Sequence, residues 1–109
     1  MSGSEAIYQC VHIYPLPEKW ERVKALMNDI AMSVRDSEPG TLVYAVHEYH
    51  KESEPPVLIV WEKYENKEAQ AIHRQNPKLA ELVRQNSVET LIARPFEIMA
   101  LTPMAGKYP

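Results

Sequence analysis

Residues 57–64 read Val-Leu-Ile-Val-Trp-Glu-Lys-Tyr, an apolar run of strand length broken only near its end. Successive side chains of a strand point to opposite faces, so such a run is stable only where both faces of its sheet are covered. The stretch from Ala6 to Tyr14 makes the same demand, with Ile7, Val11 and Ile13 on one face and Tyr8, Cys10 and Tyr14 on the other. Helices can cover one of these faces. The economical cover for the second is the sheet of another copy of the chain, so the pattern predicts a homodimer packed sheet to sheet. Trp61 then points toward the partner.

Prolines fall between the periodic segments and divide the chain. After the first strand and Pro15 and Pro17, Trp20, Val23, Met27, Ile30 and Val34 recur at spacings of three and four, the stripe of a helix that starts near Glu18 and stops before Pro39-Gly40. Thr41 to His50 reads as a second strand, Lys51 to Pro56 as a polar hairpin loop, and Val57 to Tyr64 as the third strand. Asn66 is placed to cap a helix that runs through His73 and is broken by Pro77. A further helical segment carries Leu79, Leu82 and Val83, with Leu91 and Ile92 later, and ends by Pro95. Phe96 to Leu101 is the fourth strand, and residues 102–109 form a loose tail in which Tyr108 is the one side chain suited to pin against a neighbour. The order β-α-β-β-α-α-β predicts an α+β fold: a ferredoxin-like, four-stranded antiparallel sheet with helices on one face. The length of 109 residues fits one domain spanning 1–109, with a core over about 6–101.

Composition removes several function classes. A net charge of −3 and a pI near 5.8, without a Lys/Arg cluster, argue against nucleic acid as a partner. The lone Cys10 can form no internal disulfide, and the first residues lack the apolar core of a secretory leader. No apolar run approaches the ~20 residues of a membrane span. A cytoplasmic protein without membrane or nucleic-acid partners is the expectation. Three glycines and no phosphate-binding loop leave no nucleotide, flavin or nicotinamide fingerprint. His47 and His50 lie three residues apart on a strand, on opposite faces, and no Cys-x-x-Cys or His-x-x-x-His occurs, so no metal and no bound cofactor is expected.

Glu62 and His73 are the residues that could carry chemistry. Glu62 either ends its strand in solvent, beside Lys63 or Arg74, or points under the helix and accepts a hydrogen bond from His73; a buried carboxylate needs a partner. Tyr64 shares its face. His73 is either a structural, hydrogen-bonded helix residue or a general base, an imidazole being able to take a proton near neutral pH. Tyr44 and Trp20 read first as core aromatics.

The segments Glu38-Pro39-Gly40-Thr41-Leu42-Val43-Tyr44 and Trp61-Glu62-Lys63-Tyr64-Glu65-Asn66, followed by Ala69, His73 and the Phe96-Glu97-Ile98 strand, resemble the antibiotic biosynthesis monooxygenase (ABM) domain family of small dimeric α+β barrels. The likeness runs from about Ile7 to Leu101. It implies a dimeric barrel and a cofactor-independent monooxygenase acting on a small aromatic, quinol or polyketide-like substrate. The family pattern has a cavity-lining His at the position of His73, and Tyr44 lies in the matched motif; the site expected here has His73 and Glu62 as the catalytic pair and Tyr64, Tyr44, Trp20 and His47 as substrate contacts. The family is functionally mixed, so an isomerase or other proton-transfer enzyme, and a non-catalytic, stress-associated ligand-binding barrel, stand as alternatives. Its haem-degrading branch is disfavoured. The first strand has no Asn, and His73 and Val83 stand where that branch has its Trp and its haem-binding His.

Overall fold

The computed structural model describes residues 5–109. Residues 1–4, read above as part of the domain and as no leader, lie outside the described residues. β1 (Ile7–Ile13) leads through Pro15 and a 3-10 turn at Pro17–Lys19 into α1 (Trp20–Ser37). β2 (Thr41–Tyr49) and β3 (Val57–Tyr64) form a hairpin, followed by α2 (Lys67–Arg74), α3 (Pro77–Val88) and β4 (Glu97–Leu101). The four strands are antiparallel in the order β2-β3-β1-β4, as the ferredoxin-like reading requires.

Local chemistry fixes the ends. The Asn66 side chain accepts a hydrogen bond from the Ala69 backbone N–H at 2.9 Å, capping α2 as its sequence position foretold. Asn76 caps α3 in the same way, accepting from Lys78 N–H at 2.8 Å, with Pro77 at the first helical position, where its missing N–H costs nothing. The predicted last helix is too long in one respect. α3 stops at Val88, and the Asn86 side chain takes the Leu91 and Ile92 backbone N–H groups at 2.8 and 3.0 Å, turning the chain so that Ile92 bridges to Pro15. Leu91 and Ile92 are therefore buried from a loop. Val83, expected on the apolar side of the helix, is exposed while Leu82 is buried.

The core lies between the helices and one sheet face. Val23, Met27, Ile30 and Val34 of α1 are buried against Val11, Ile13, Leu58 and Val60. Each contributes about 1.5–3 kcal/mol of apolar burial as an upper estimate. The opposite face, carrying Tyr8, Cys10, Val43, Ala45, Ile59, Trp61 and Met99, has no helix on it and is only half-buried. In the tail, Tyr108 meets Tyr8 edge-on at 5.6 Å between ring centroids on this same face. No helix among the described residues is long and apolar enough to cross a membrane.

One contact sets the geometry of everything that follows. A Cβ on Gly40 would sit 2.7 Å from Cβ of Ala69, and the Gly40 carbonyl accepts from Glu65 N–H at 2.8 Å. The start of α2 thus rests directly on the turn between α1 and β2, and only glycine permits that approach. It brings the end of α1 against the inner face of α2.

Candidate active site

Among the described residues four polar or charged side chains are buried: Glu38, Glu62, His73 and Asn76, all 6% exposed or less. They are grouped where the ends of α1 and α2 meet the inner sheet face. Buried ionisable groups persist only when partnered, and each of these is.

Glu38 caps the C-terminal end of α1 and turns inward. The His73 Nδ1–H donates to its carboxylate at 3.0 and 3.3 Å, the Asn76 amide donates at 2.6 Å, and the Thr41 hydroxyl donates at 2.8 Å. Three donors from three elements lock one carboxylate. Glu62, on β3, is held separately: the Tyr64 hydroxyl and the Gln9 amide both donate to its Oε1, the latter at 2.7 Å, and Gln70 of α2 donates to Gln9 at 3.0 Å.

Glu62 and His73 therefore both point inward, but they are not hydrogen-bonded partners. The carboxylate that orients His73 is Glu38, and the expected Glu62–His73 pair is replaced by two neighbouring clusters. The reason is positional. His73 lies on the side of α2 that meets the α1–β2 turn, whereas Glu62 leaves β3 beside Tyr64 and Gln9 of the adjacent strand. The two clusters touch through aromatic rings. Tyr44 and Tyr64 flank the imidazole with centroids at 5.0 and 5.6 Å.

Glu62, His73, Tyr44 and Tyr64 all line one cavity of roughly 100 Å³, whose remaining walls include Val11, Ile13, Met27, Val60, Leu79 and Phe96. Among the described residues His73 Nε2, Glu62 Oε2 and the Tyr44 hydroxyl have no hydrogen-bond partner, yet no fully buried side-chain N or O atom is left unpaired. These three atoms are accordingly not sealed off, and all three residues line the cavity. Burial holds the Glu62 carboxyl above its ordinary value, while bonds from Tyr64 and Gln9 oppose the shift. Burial, and then the charges of Glu62 and Glu38, push the Tyr44 phenol well above its ordinary range, so it remains a donor. Tyr64 is shifted the same way by burial and by Glu62.

Two expected substrate contacts lie elsewhere. Trp20 opens α1 and packs edge-on to His50 at 5.9 Å, with the Lys24 ammonium over its ring. His47 is exposed on the edge strand β2, its Nδ1–H donating to the Ile59 carbonyl at 3.2 Å. Neither lines the cavity. Glu38, Asn76 and Gln9 were not singled out in the sequence. Glu38 continues the Met27, Ile30, Val34 stripe by four residues, and Gln9 alternates with Val11 and Ile13, so both carried a signal as polar residues on apolar faces. Among the described residues no three of His, Cys, Asp and Glu are grouped as a metal site.

The sequence matches the family model described as antibiotic biosynthesis monooxygenase over residues 6–85, so the fourth strand falls beyond the match. No curated protein matches the chain. Among solved structures it is similar to Rv0793 from Mycobacterium tuberculosis, with a TM-score of 0.76 and 22% identity over 95% of this chain and 100% of that one. It is also similar to a Caulobacter crescentus protein whose name carries the same family description (TM-score 0.77, 21% identity, covering 95% and 94%). PA3566 from Pseudomonas aeruginosa superposes with a TM-score of 0.78 at 19% identity, covering 94% and 98%. Likeness at these identities concerns the fold.

Proposed function

Because the chain belongs to the antibiotic biosynthesis monooxygenase family, we propose that it is a cofactor-independent monooxygenase of a small aromatic, quinol-type substrate, with His73 as general base. The observation that carries this reading is the buried Glu38–His73 pair, whose ring lines an apolar cavity with Nε2 free of protein partners. A carboxylate on Nδ1–H fixes the tautomer that leaves Nε2 basic and stabilises the imidazolium once a proton arrives.

The chemistry balances without an external reductant. Nε2 takes a proton from a phenol-activated C–H of a ring methylene. The resulting anion, its negative oxygen facing the Tyr44 hydroxyl, passes one electron to dioxygen. Substrate radical and superoxide combine, and protonation gives a hydroperoxide on the same carbon. Loss of water, with departure of the second C–H proton, leaves a carbonyl. One oxygen atom ends in the product and one in water, and all four electrons come from the methylene. The protein contributes the base, an oxyanion donor and a dry cavity. A second reading, proton transfer without oxygen as in an isomerase, is supported by Glu62, a carboxyl that lines the same cavity as His73 and has its acidity weakened by burial.

A homodimer belongs to the same proposal. The helix-free sheet face exposes part of Tyr8, Ile59, Trp61 and Met99, and a second sheet is the natural cover. Cys10 on that face fits a reducing, cytoplasmic setting.

The test is oxygen uptake with an anthrone substrate under ¹⁸O₂. One O₂ consumed per quinone, with one labelled atom in the product, is the expected result. Isomerised or exchanged product with no oxygen uptake would transfer the assignment to the second reading.

A further inference from the structure

The cavity's lining includes one permanent cation, Arg74, the last residue of α2. It is exposed, so it stands at the mouth rather than inside. Among the described residues its guanidinium has no carboxylate within ion-pair distance and no hydrogen-bond acceptor. Gln70, one helical turn earlier on the same side of α2, also lines the cavity, but its amide is committed to Gln9, which in turn holds Glu62. The uncommitted donor at the mouth is therefore Arg74.

The cavity's lining is mixed in burial and polarity. Its buried groups include the Glu62 carboxyl, with Glu38 behind His73. Its apolar walls include Val60, Leu79 and Phe96. Its rim carries an unpaired guanidinium, a planar fork that matches a carboxylate in two parallel hydrogen bonds.

We propose that the ligand is a hydroxylated aromatic that also carries a carboxylate, bound with its hydroxyl-bearing ring toward His73 and Glu62 and its carboxylate on Arg74 at the mouth. This rests on the function proposed above for the identity of the ring, but the charge requirement stands on Arg74 alone. Bound in reverse, a carboxylate would meet Glu62 and the ring would leave the apolar walls, so Arg74 sets orientation as well as affinity.

The experiment measures binding of 2,5-dihydroxyphenylacetate and of its methyl ester to the intact protein by calorimetry, at low ionic strength and again at about 0.5 M salt. The acid should bind roughly fivefold more tightly than the ester, the size of a well-formed exposed ion pair. That ratio should fall toward one at high salt and in Arg74→Met, whose melting temperature should stay at the wild-type value because the side chain is exposed and unpaired. In His73→Asn the ratio should persist. Equal affinity for acid and ester, tighter binding of the ester, no binding of the acid at millimolar concentration, or a ratio that survives Arg74→Met each overturns the proposal. Oxygen uptake is scored separately, with the anthrone substrate, which carries the ring methylene that the proposed reaction requires. An Arg74-dependent acid preference without uptake leaves this recognition standing and removes the monooxygenase reading, whereas uptake without acid preference does the reverse.

Discussion

Replacing Glu38 by Gln isolates the carboxylate that the fold aims at His73. The shape is kept and the charge is lost. In the native site three donors converge on the two oxygens: His73 Nδ1–H at 3.0 Å, Thr41 at 2.8 Å and Asn76 at 2.6 Å. A glutamine offers one oxygen and one NH₂, so whichever way it turns, a donor faces a donor. Turning its oxygen toward Thr41 and His73 sets its NH₂ against the Asn76 amide, and Asn76 cannot flip freely because its own oxygen caps α3. One charge-assisted bond of about 1.5–3 kcal/mol is lost, and a second donor is left short of a partner at about 1–3 kcal/mol. Partial relaxation brings the expected total to roughly 2–4 kcal/mol. For a domain of this size that lowers the melting temperature by about 10–20 °C. Thermal unfolding followed by circular dichroism reads it directly. A Glu38→Gln melting point within about 2 °C of wild type would refute the claim that this carboxylate is locked by three donors.

Glu62 behaves differently with pH. Its folded carboxyl holds its proton more tightly than the unfolded chain does, so its contribution to stability is complete below the ordinary value of 4.5 and is lost as pH rises through the higher folded value. Glu62→Gln removes this term, so the melting temperature of the variant should gain on wild type between pH 4.5 and pH 7; an unchanged difference across that window would contradict the burial argument. Gly40→Ala should destabilise by roughly 1–3 kcal/mol, because its new methyl lies 2.7 Å from Ala69 Cβ and the backbones must part, separating α2 from the turn; a neutral result in urea unfolding would show that the approach is not tight. Trp61→Glu should yield monomers in sedimentation velocity at micromolar concentration, whereas an unaltered dimer would place the interface elsewhere.

Strand and helix positions were legible because their causes are local: prolines at boundaries, Asn66 as a cap, and stripes whose period matches the element. β3 falls on the residues read for it, and the β2-β3-β1-β4 order follows from the element sequence. The end of α3 was not legible, since it depends on the Asn86 side chain competing for two backbone N–H groups. Within the site, alternation correctly placed Glu62 beside Tyr64, and Tyr44 and His73 reached the same cavity. The error lay in pairing. Two inward carboxylates were available to one imidazole, and which of them meets Nδ1 depends on how closely α2 descends on Gly40, a tertiary distance with no periodic trace. Trp20 and His47 show the complementary limit. Aromatic or imidazole chemistry by itself does not reveal which side of an element faces the cavity.

His73→Ala alone cannot separate base from scaffold, because its removal also deprives Glu38 of a donor at a cost of about 1–3 kcal/mol. His73→Asn separates them, since the asparagine amide can take the place of Nδ1–H toward Glu38 while offering nothing at the Nε2 position. The decisive measurement is oxygen uptake by His73→Asn on a substrate turned over by the wild type, with its melting temperature recorded in parallel. The account predicts a rate lower by roughly 10²–10⁴-fold with the melting temperature held within a few degrees. Uptake at the wild-type rate in a folded His73→Asn protein would contradict it and leave His73 a purely structural partner of Glu38.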